Sequence, residues 1–334
     1  MRQSPIFLQP VFQERIWGGE ALRQHFGYPI PSTRTGECWA ISAHPAGEST
    51  VRGGQYAGLT LGQLWSEHRY LFGNAEGERF PLLVKLIDAQ TDLSVQVHPD
   101  DAYAARYEGG QSGKTEGWYV LACQEGSEIV YGHTCKDQDE VRRLVAAGEW
   151  KRLLGRVAVQ PGQWFEVPSG VLHALGAGLL VYEVQQNSDL TYRLYDYDRL
   201  DADGQPRQLH LEQALANISM LPLPLRKSPE KLEQQGVCIV TLIENRYFGL
   251  QKWAIQGGAD LAQPAAYLLV SVIAGQGQIQ TRSGIFCFQQ GDHLILPTEA
   301  AQQFSVQGDS EWLVALPPNA QTKTQGCTNM SLCQ

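Results

Sequence analysis

The chain has no C-x-x-C pair, and its seven cysteines (Cys38, Cys123, Cys135, Cys238, Cys287, Cys327 and Cys333) are odd in number and irregularly spaced. A disulfide framework or a thiolate zinc site needs paired sulfurs, so the pattern reads as free thiols of a reducing cytoplasm. No apolar run could cross a bilayer as a helix, and the opening "MRQSPIFLQPVFQERIW" lacks an apolar stretch of leader length. A cytoplasmic protein without membrane association is expected. Surplus positive charge is missing too: 26 Lys and Arg face 35 Asp and Glu, for a net charge of −9. That argues against nucleic acid or an anionic membrane as the main partner, and admits an anionic small molecule only where basic residues cluster. No obligate protein partner is evident.

Helical periodicity is also scarce. It appears in 59–73, 137–154 and 210–219, between groups of strands and never alternating with single strands, so a parallel βαβ fold is not expected. What the chain does contain is strand-like: "ECWAISAH" (37–44), "FPLLVKLIDA" (80–89), "LSVQVHP" (93–99), "GWYVLAC" (117–123), "SEIVYGH" (127–133), "QWFEVPSG" (163–170) and "LLVYEVQQ" (179–186). Glycine and proline punctuate these runs, as in an all-β sandwich or barrel.

The proline-rich, charged stretch 219–236 is the best boundary, and a second β-rich block follows at 267–306. The expected division is a domain of residues 1–222 with inserted helices, a β domain of 223–318, and a tail of 319–334 without apolar periodicity. The two blocks share a phrase. "QPGQWFEVPSGVLHAL" (160–175) aligns with "QQGDHLILPTEAAQQF" (289–304), with Gly162 on Gly291, Pro168 on Pro297 and His173 on Gln302. One β-module used twice, with an ionisable ligand in the first copy only, accounts for this.

In "DLSVQVHPDDAYA" Gln96 and His98 stand two apart, so on a strand they share a face. Glu116 precedes an apolar strand in "GKTEGWYVL", and His173 follows a Pro-Ser-Gly turn in "VPSGVLHALG". Two imidazoles and a carboxylate from separate strands make an open divalent-metal site, with the Gln96 amide as a weaker fourth ligand. The Gly113-Lys114-Thr115 sequence is not a phosphate-binding P-loop, because the glycine required five positions before Gly113 is Glu108.

These motifs, with "ERIWGG" and "VYEVQQNSDLTYRLYDYDR", closely resemble the short bacterial type I mannose-6-phosphate isomerases, from about residue 5 to about residue 316. The resemblance implies a mainly β, cupin (jelly-roll) fold with two β-modules, the second degenerate. It implies zinc-dependent interconversion of mannose 6-phosphate and fructose 6-phosphate, with one Zn²⁺ per chain. By motif position the metal ligands fall on His98, Glu116 and His173, with Gln96 additional as in the longer relatives. The catalytic arginine falls on Arg193, the active-site lysine on Lys114 and an acidic neighbour on Glu183. Two other readings stay open on the residues alone: an iron-dependent cupin oxygenase, which also wants two histidines and a carboxylate, and a non-catalytic sugar-binding cupin. From composition, Lys114 could be a solvated charge in a turn, and Arg193 a partner of Asp189, Asp196 or Asp198.

Overall fold

The computed structural model describes residues 3–201, 203–224 and 228–318. Alternation along the strands explains how its layers stack. In Leu82–Ala89, Leu82, Val84 and Leu86 enter one apolar core while Ile87 and Ala89 enter another. The neighbouring strand Leu179–Gln186 repeats the split, with Leu180, Tyr182 and Val184 against Leu179 and Val181. Successive side chains point to opposite faces, so one strand with apolar residues on both faces serves two cores. Both strands belong to a six-stranded antiparallel sheet that is therefore buried on both sides.

A five-stranded sheet, containing Val95–Val97, Glu128–His133, His173–Leu175 and Tyr192–Tyr195, faces it across one of these cores, built from Trp17, Ile87, Trp118, Ile129, Phe165 and Leu175. The far side of the five-stranded sheet packs against the helices Gln138–Ala146, Trp150–Leu153 and Leu211–Asn217. The other core of the six-stranded sheet is shared with an eleven-stranded sheet holding every strand after Glu230. The N-terminal strand Ile6–Gln9 joins that last sheet by pairing with His293–Leu296. The beginning and the end of the chain are thus woven together. The arrangement is a mainly β, cupin-type fold, as expected. No helix of the described residues is long and apolar enough to cross a membrane.

The helices are shorter than their periodicity suggests. The stretch 59–73 forms Leu61–Glu67 and a separate 3-10 turn, Arg69–Phe72; 137–154 splits into two at Gly148, whose φ is +66°. Three short helices, Ala21–Phe26, Asp101–Tyr107 and Thr298–Gln302, have no counterpart in the sequence reading. Each is too brief for two turns of amphipathic pattern. The expected tail, 319–334, lies outside the described residues.

The repeated phrase has a shared shape and a divergent end. Gly162 and Gly291 both have φ of +88°, and strands Trp164–Val167 and His293–Leu296 follow them. His173 lies buried in a strand, whereas Gln302 is exposed at the end of a helix. The second block's own histidine, His293, is taken up by protein: one ring nitrogen lies 2.7 Å from the Tyr28 hydroxyl and the other 2.9 Å from that of Ser271.

Burial, with a lesser contribution from Arg52, lowers the His293 pKa from 6.5 to about 3. Between those values the unfolded chain binds a proton that the folded chain refuses. The stabilising effect of the neutral ring is therefore intact above pH 6.5 and is lost as pH falls toward 3, by about 1.4 kcal/mol per unit. Denaturant unfolding of the wild type and of His293→Gln at pH 7 and pH 5 isolates this group from the other histidines. The stability advantage of the wild type should shrink by about 2 kcal/mol at the lower pH. An advantage independent of pH would show that His293 is not held neutral.

Candidate metal centre and its cleft

Strand parity carries the candidate site side chains to the space between the six-stranded and five-stranded sheets, the inside of the first barrel. Val95 and Val97 fill the outer core, so Gln96, and His98 beyond the strand end, turn inward. Trp118 and Val120 fill the inner core, and Glu116 shares their face. Leu175 points inward with His173, and Glu183 lies on the face of Val181. Tyr192 and Leu194 pack outward, which leaves Arg193 inward.

His98, Glu116 and His173 converge in full burial, at 1%, 0% and 1% exposure, with one candidate ligand atom from each within 4.8 Å of the others. Among the described residues this is the one such group of three. Both rings are oriented by carbonyls: His98 Nδ1 donates to Leu190 O over 2.7 Å and His173 Nδ1 to Val171 O over 2.8 Å. A nitrogen beside a carbonyl must carry the proton, so in each neutral ring Nε2 presents a lone pair. Burial, helped at His98 by Lys114, keeps both rings neutral, with His98 lowered to about 3. Those lone pairs face the Glu116 carboxylate at 3.3 Å from Oε2 and 3.2 Å from Oε1. The second contact is no hydrogen bond, because neither atom has a proton to give, and Oε1 is a buried acceptor without a donor.

Lys114 brings a positive charge into contact with this group. Its Nζ lies 2.5 Å from Glu116 Oε2 and 3.1 Å from His98 Nε2. Burial opposes charge on both members of the pair, yet the mutual attraction wins: the Glu116 pKa is held well below its usual range and that of Lys114 is raised. Two neutral imidazole nitrogens and a carboxylate aimed at one point fit a divalent cation, and the Nδ1–carbonyl bonds are the outer support that such ligands usually have. Gln96 pairs with His173 across the strands and donates from Nε2 to His173 Nε2 over 3.4 Å. Its amide oxygen faces Ser94, so it would join the ligands only after a half-turn of the amide.

Above this group opens a cleft of about 340 Å³, whose lining includes Gln96, Lys114, Glu183, Arg193, Lys85 and Arg207. Basic groups are concentrated here, as an anionic ligand would require of a chain with net negative charge. Glu183 accepts from Trp118 Nε1 at 3.0 Å and lies 3.7 Å from Lys85 Nζ. Burial first, and the nearby Glu116 charge second, push its pKa up to about 7. Arg193 donates from Nε to Ser94 Oγ and from Nη1 to the Gln208 carbonyl. It forms no ion pair with Asp189, Asp196 or Asp198; Asp196 is instead held by Arg199 and Arg207. The guanidinium is therefore anchored by neutral acceptors, with its charge directed to the cleft. Lys114 is 4% exposed and is no solvated turn residue.

Lys85 was not singled out from sequence. The signal was present, as the lone positive charge within the largely apolar run "FPLLVKLIDA". Gly113 explains the neighbouring turn: a Cβ there would lie 2.5 Å from the backbone of Asp100 and Asp101, so the Lys114 segment closes onto the His-Pro-Asp-Asp backbone only with glycine.

The family described as "Phosphomannose isomerase type I, catalytic domain" matches residues 6–116, and "Mannose-6-phosphate isomerase, cupin domain" matches residues 238–317. The mannose-6-phosphate isomerase ManA of Bacillus subtilis is 49% identical over 94% of this chain and 99% of its own length. The mannose-6-phosphate isomerase of Streptococcus mutans is 48% identical, covering 92% and 96%. Among solved structures, the mannose 6-phosphate isomerase from Bacillus subtilis superposes with a TM-score of 0.91 at 49% identity, covering 94% of this chain and 99% of that one. A putative mannosephosphate isomerase from Archaeoglobus fulgidus has the same fold, with a TM-score of 0.72 at 24% identity.

Proposed function

This chain belongs to the type I phosphomannose isomerase family, and on that premise we propose that it interconverts mannose 6-phosphate and fructose 6-phosphate with one zinc ion held by His98, Glu116 and His173. The observation that carries the metal assignment is the convergence of two Nε2 lone pairs and a carboxylate oxygen that has no hydrogen-bond donor. Three nitrogen and oxygen ligands with an open position is the donor set of catalytic zinc. When bound, the ion supplies Lewis acidity toward the sugar's carbonyl oxygen. Gln96 is a supporting contact to His173 in this reading.

Shifting the carbonyl between C1 and C2 removes a weakly acidic C–H proton and leaves negative charge on a cis-enediolate. In this reading Glu183 takes and returns that proton. Its carboxyl lies in the cleft, and burial, then the Glu116 charge, push its pKa up to about 7, where a group exchanges protons in both directions at neutral pH. Lys85 beside it supports the charged form. Arg193 offers fixed positive charge to the enediolate oxygens and cannot lose its proton in doing so. Lys114, retained as an ammonium beside Glu116, orients the carboxylate and holds an anionic oxygen of the substrate.

In the same reading residues 1–222 form the catalytic cupin domain and 223–318 a degenerate second one. The free thiols suit a cytoplasmic enzyme. A coupled assay for fructose 6-phosphate, run before chelation, after it and after zinc return, tests the proposal. Activity should vanish and come back, and elemental analysis should find one metal per chain. Undiminished turnover by the metal-free protein would overturn the role of the ion, and two tightly held ions would show a second site that His293 and Gln302 are not arranged to form.

A further inference from the structure

Glu116 and Lys114 sit on a segment whose position is set partly from outside the first barrel. Asp101, at the start of the helix Asp101–Tyr107, accepts at Oδ1 from Gly113 N and from Gln186 Nε2, both at 2.9 Å. Gln186 Oε1 in turn accepts from Thr115 N at 2.8 Å, and Lys114 N donates to the Pro99 carbonyl. The backbone N–H groups of three consecutive residues, 113 to 115, are thereby held. The remaining oxygen of Asp101, Oδ2, accepts at 2.9 Å from the hydroxyl of Tyr247, 146 residues away. Tyr247 lies in the turn between Val237–Glu244 and Gly249–Ile255, in the second β block.

That turn is itself braced. Asn245 Oδ1 accepts from the backbone of Tyr247 and Phe248, while its Nδ2 donates to Glu166 Oε1 at 2.9 Å. Glu166 is paired across the sheet with Gly117, the residue after Glu116. Gly117 turns away from the site, and a Cβ there would lie 2.5 Å from Ile243 and 3.2 Å from Phe248. The second block therefore reaches the 113–117 segment by two routes: hydrogen bonds relayed through Asp101 and Glu166, and the apolar packing of Ile243 and Phe248 over Gly117. Tyr247 does not line the cleft.

We propose that Tyr247 is a positioning residue: through Asp101 the second β block holds Lys114 and Glu116 in register with His98 and His173. The degenerate block then has a task in catalysis without any ligand of its own. This inference rests on the reading of Glu116 as a ligand.

The test uses full-length, zinc-loaded protein, with zinc affinity measured by competition with a fluorescent chelator alongside steady-state kinetics. Tyr247→Phe removes one hydroxyl from the brace. It should lower zinc affinity or kcat about tenfold, the effect typical of losing an outer support of a metal ligand, with KM nearly unchanged. Asp101→Asn keeps an oxygen for Gly113 and Gln186 and should stay within about threefold of wild type, whereas Asp101→Ala should lose more than Tyr247→Phe. A merely structural hydroxyl would lower the melting temperature and leave affinity and kcat alone. Affinity and kcat within twofold of wild type in Tyr247→Phe overturn the proposal. Glu116→Gln measured in parallel separates the causes. If it also keeps zinc and turnover, the metal reading has failed and takes the brace with it; if it loses both, the brace alone is wrong.

Discussion

Glu116→Gln should strip the metal from the site and reduce turnover by about 10³-fold or more, since a Lewis acid contributes several kcal/mol at the transition state. The carboxylate is the single anion among the three proposed ligands, and an amide of the same shape cannot replace its charge. The substitution also acts on the fold. Lys114 Nζ, 4% exposed, would keep its ammonium with no carboxylate in contact. Breaking one half of a buried pair costs about 3–5 kcal/mol, whereas replacing both halves by neutral groups is often close to neutral. The double variant Lys114→Met/Glu116→Gln should therefore recover much of the stability lost by the single one and still bind no metal. Elemental analysis with denaturant unfolding measures both quantities. A stable Glu116→Gln protein carrying one metal per chain and turning over normally would show that the ligand is another residue.

The second large effect is expected from Arg193→Lys, which keeps the charge and loses the planar fork. Nε and Nη1 of Arg193 are committed to Ser94 Oγ and the Gln208 carbonyl. A lysine ammonium cannot hold those two neutral acceptors and present charge to the cleft with the same geometry. Turnover should fall by about 10², as when one preorganised donor to a developing oxyanion is lost. Metal content should be unchanged, because a guanidinium cannot be a ligand. The loss should fall on kcat more than on KM, since in the proposed mechanism the enediolate charge appears only on the way through the reaction. Near-normal kcat would assign Arg193 a structural role. A surface ion pair is a poor account of the residue in either case, since it makes none with the aspartates around it.

How much of this was legible beforehand depends on the range of the interaction. Gln96 and His98 could be placed on one face because the side-chain period of a strand is two and needs only adjacent residues to be read. Gly162 and Gly291 could be matched because a turn–strand unit is local, and both adopt the same φ. Helices failed where they were short. Asp101–Tyr107 is capped by Asp100, whose side chain accepts from Tyr103 N, and a capping aspartate before "DAYAARY" was the available signal.

Sequence alone determined the strand-rich class, the shared face of Gln96 and His98 and, through its motifs, the resemblance to a family. Only the tertiary structure decided that Lys114 is buried against Glu116, that Arg193 is anchored by carbonyl and hydroxyl oxygens, and that His293 is occupied by Tyr28 and Ser271. It also decided that Tyr247 reaches Asp101. The physical reason is separation along the chain. Periodicity and turn chemistry act over a few residues, while these contacts, Lys114–Glu116 excepted, join groups 15 to 265 positions apart. In that exception the spacing placed the two residues near each other, but burial, which turns a turn lysine into a paired ammonium, comes from the layers folded over it.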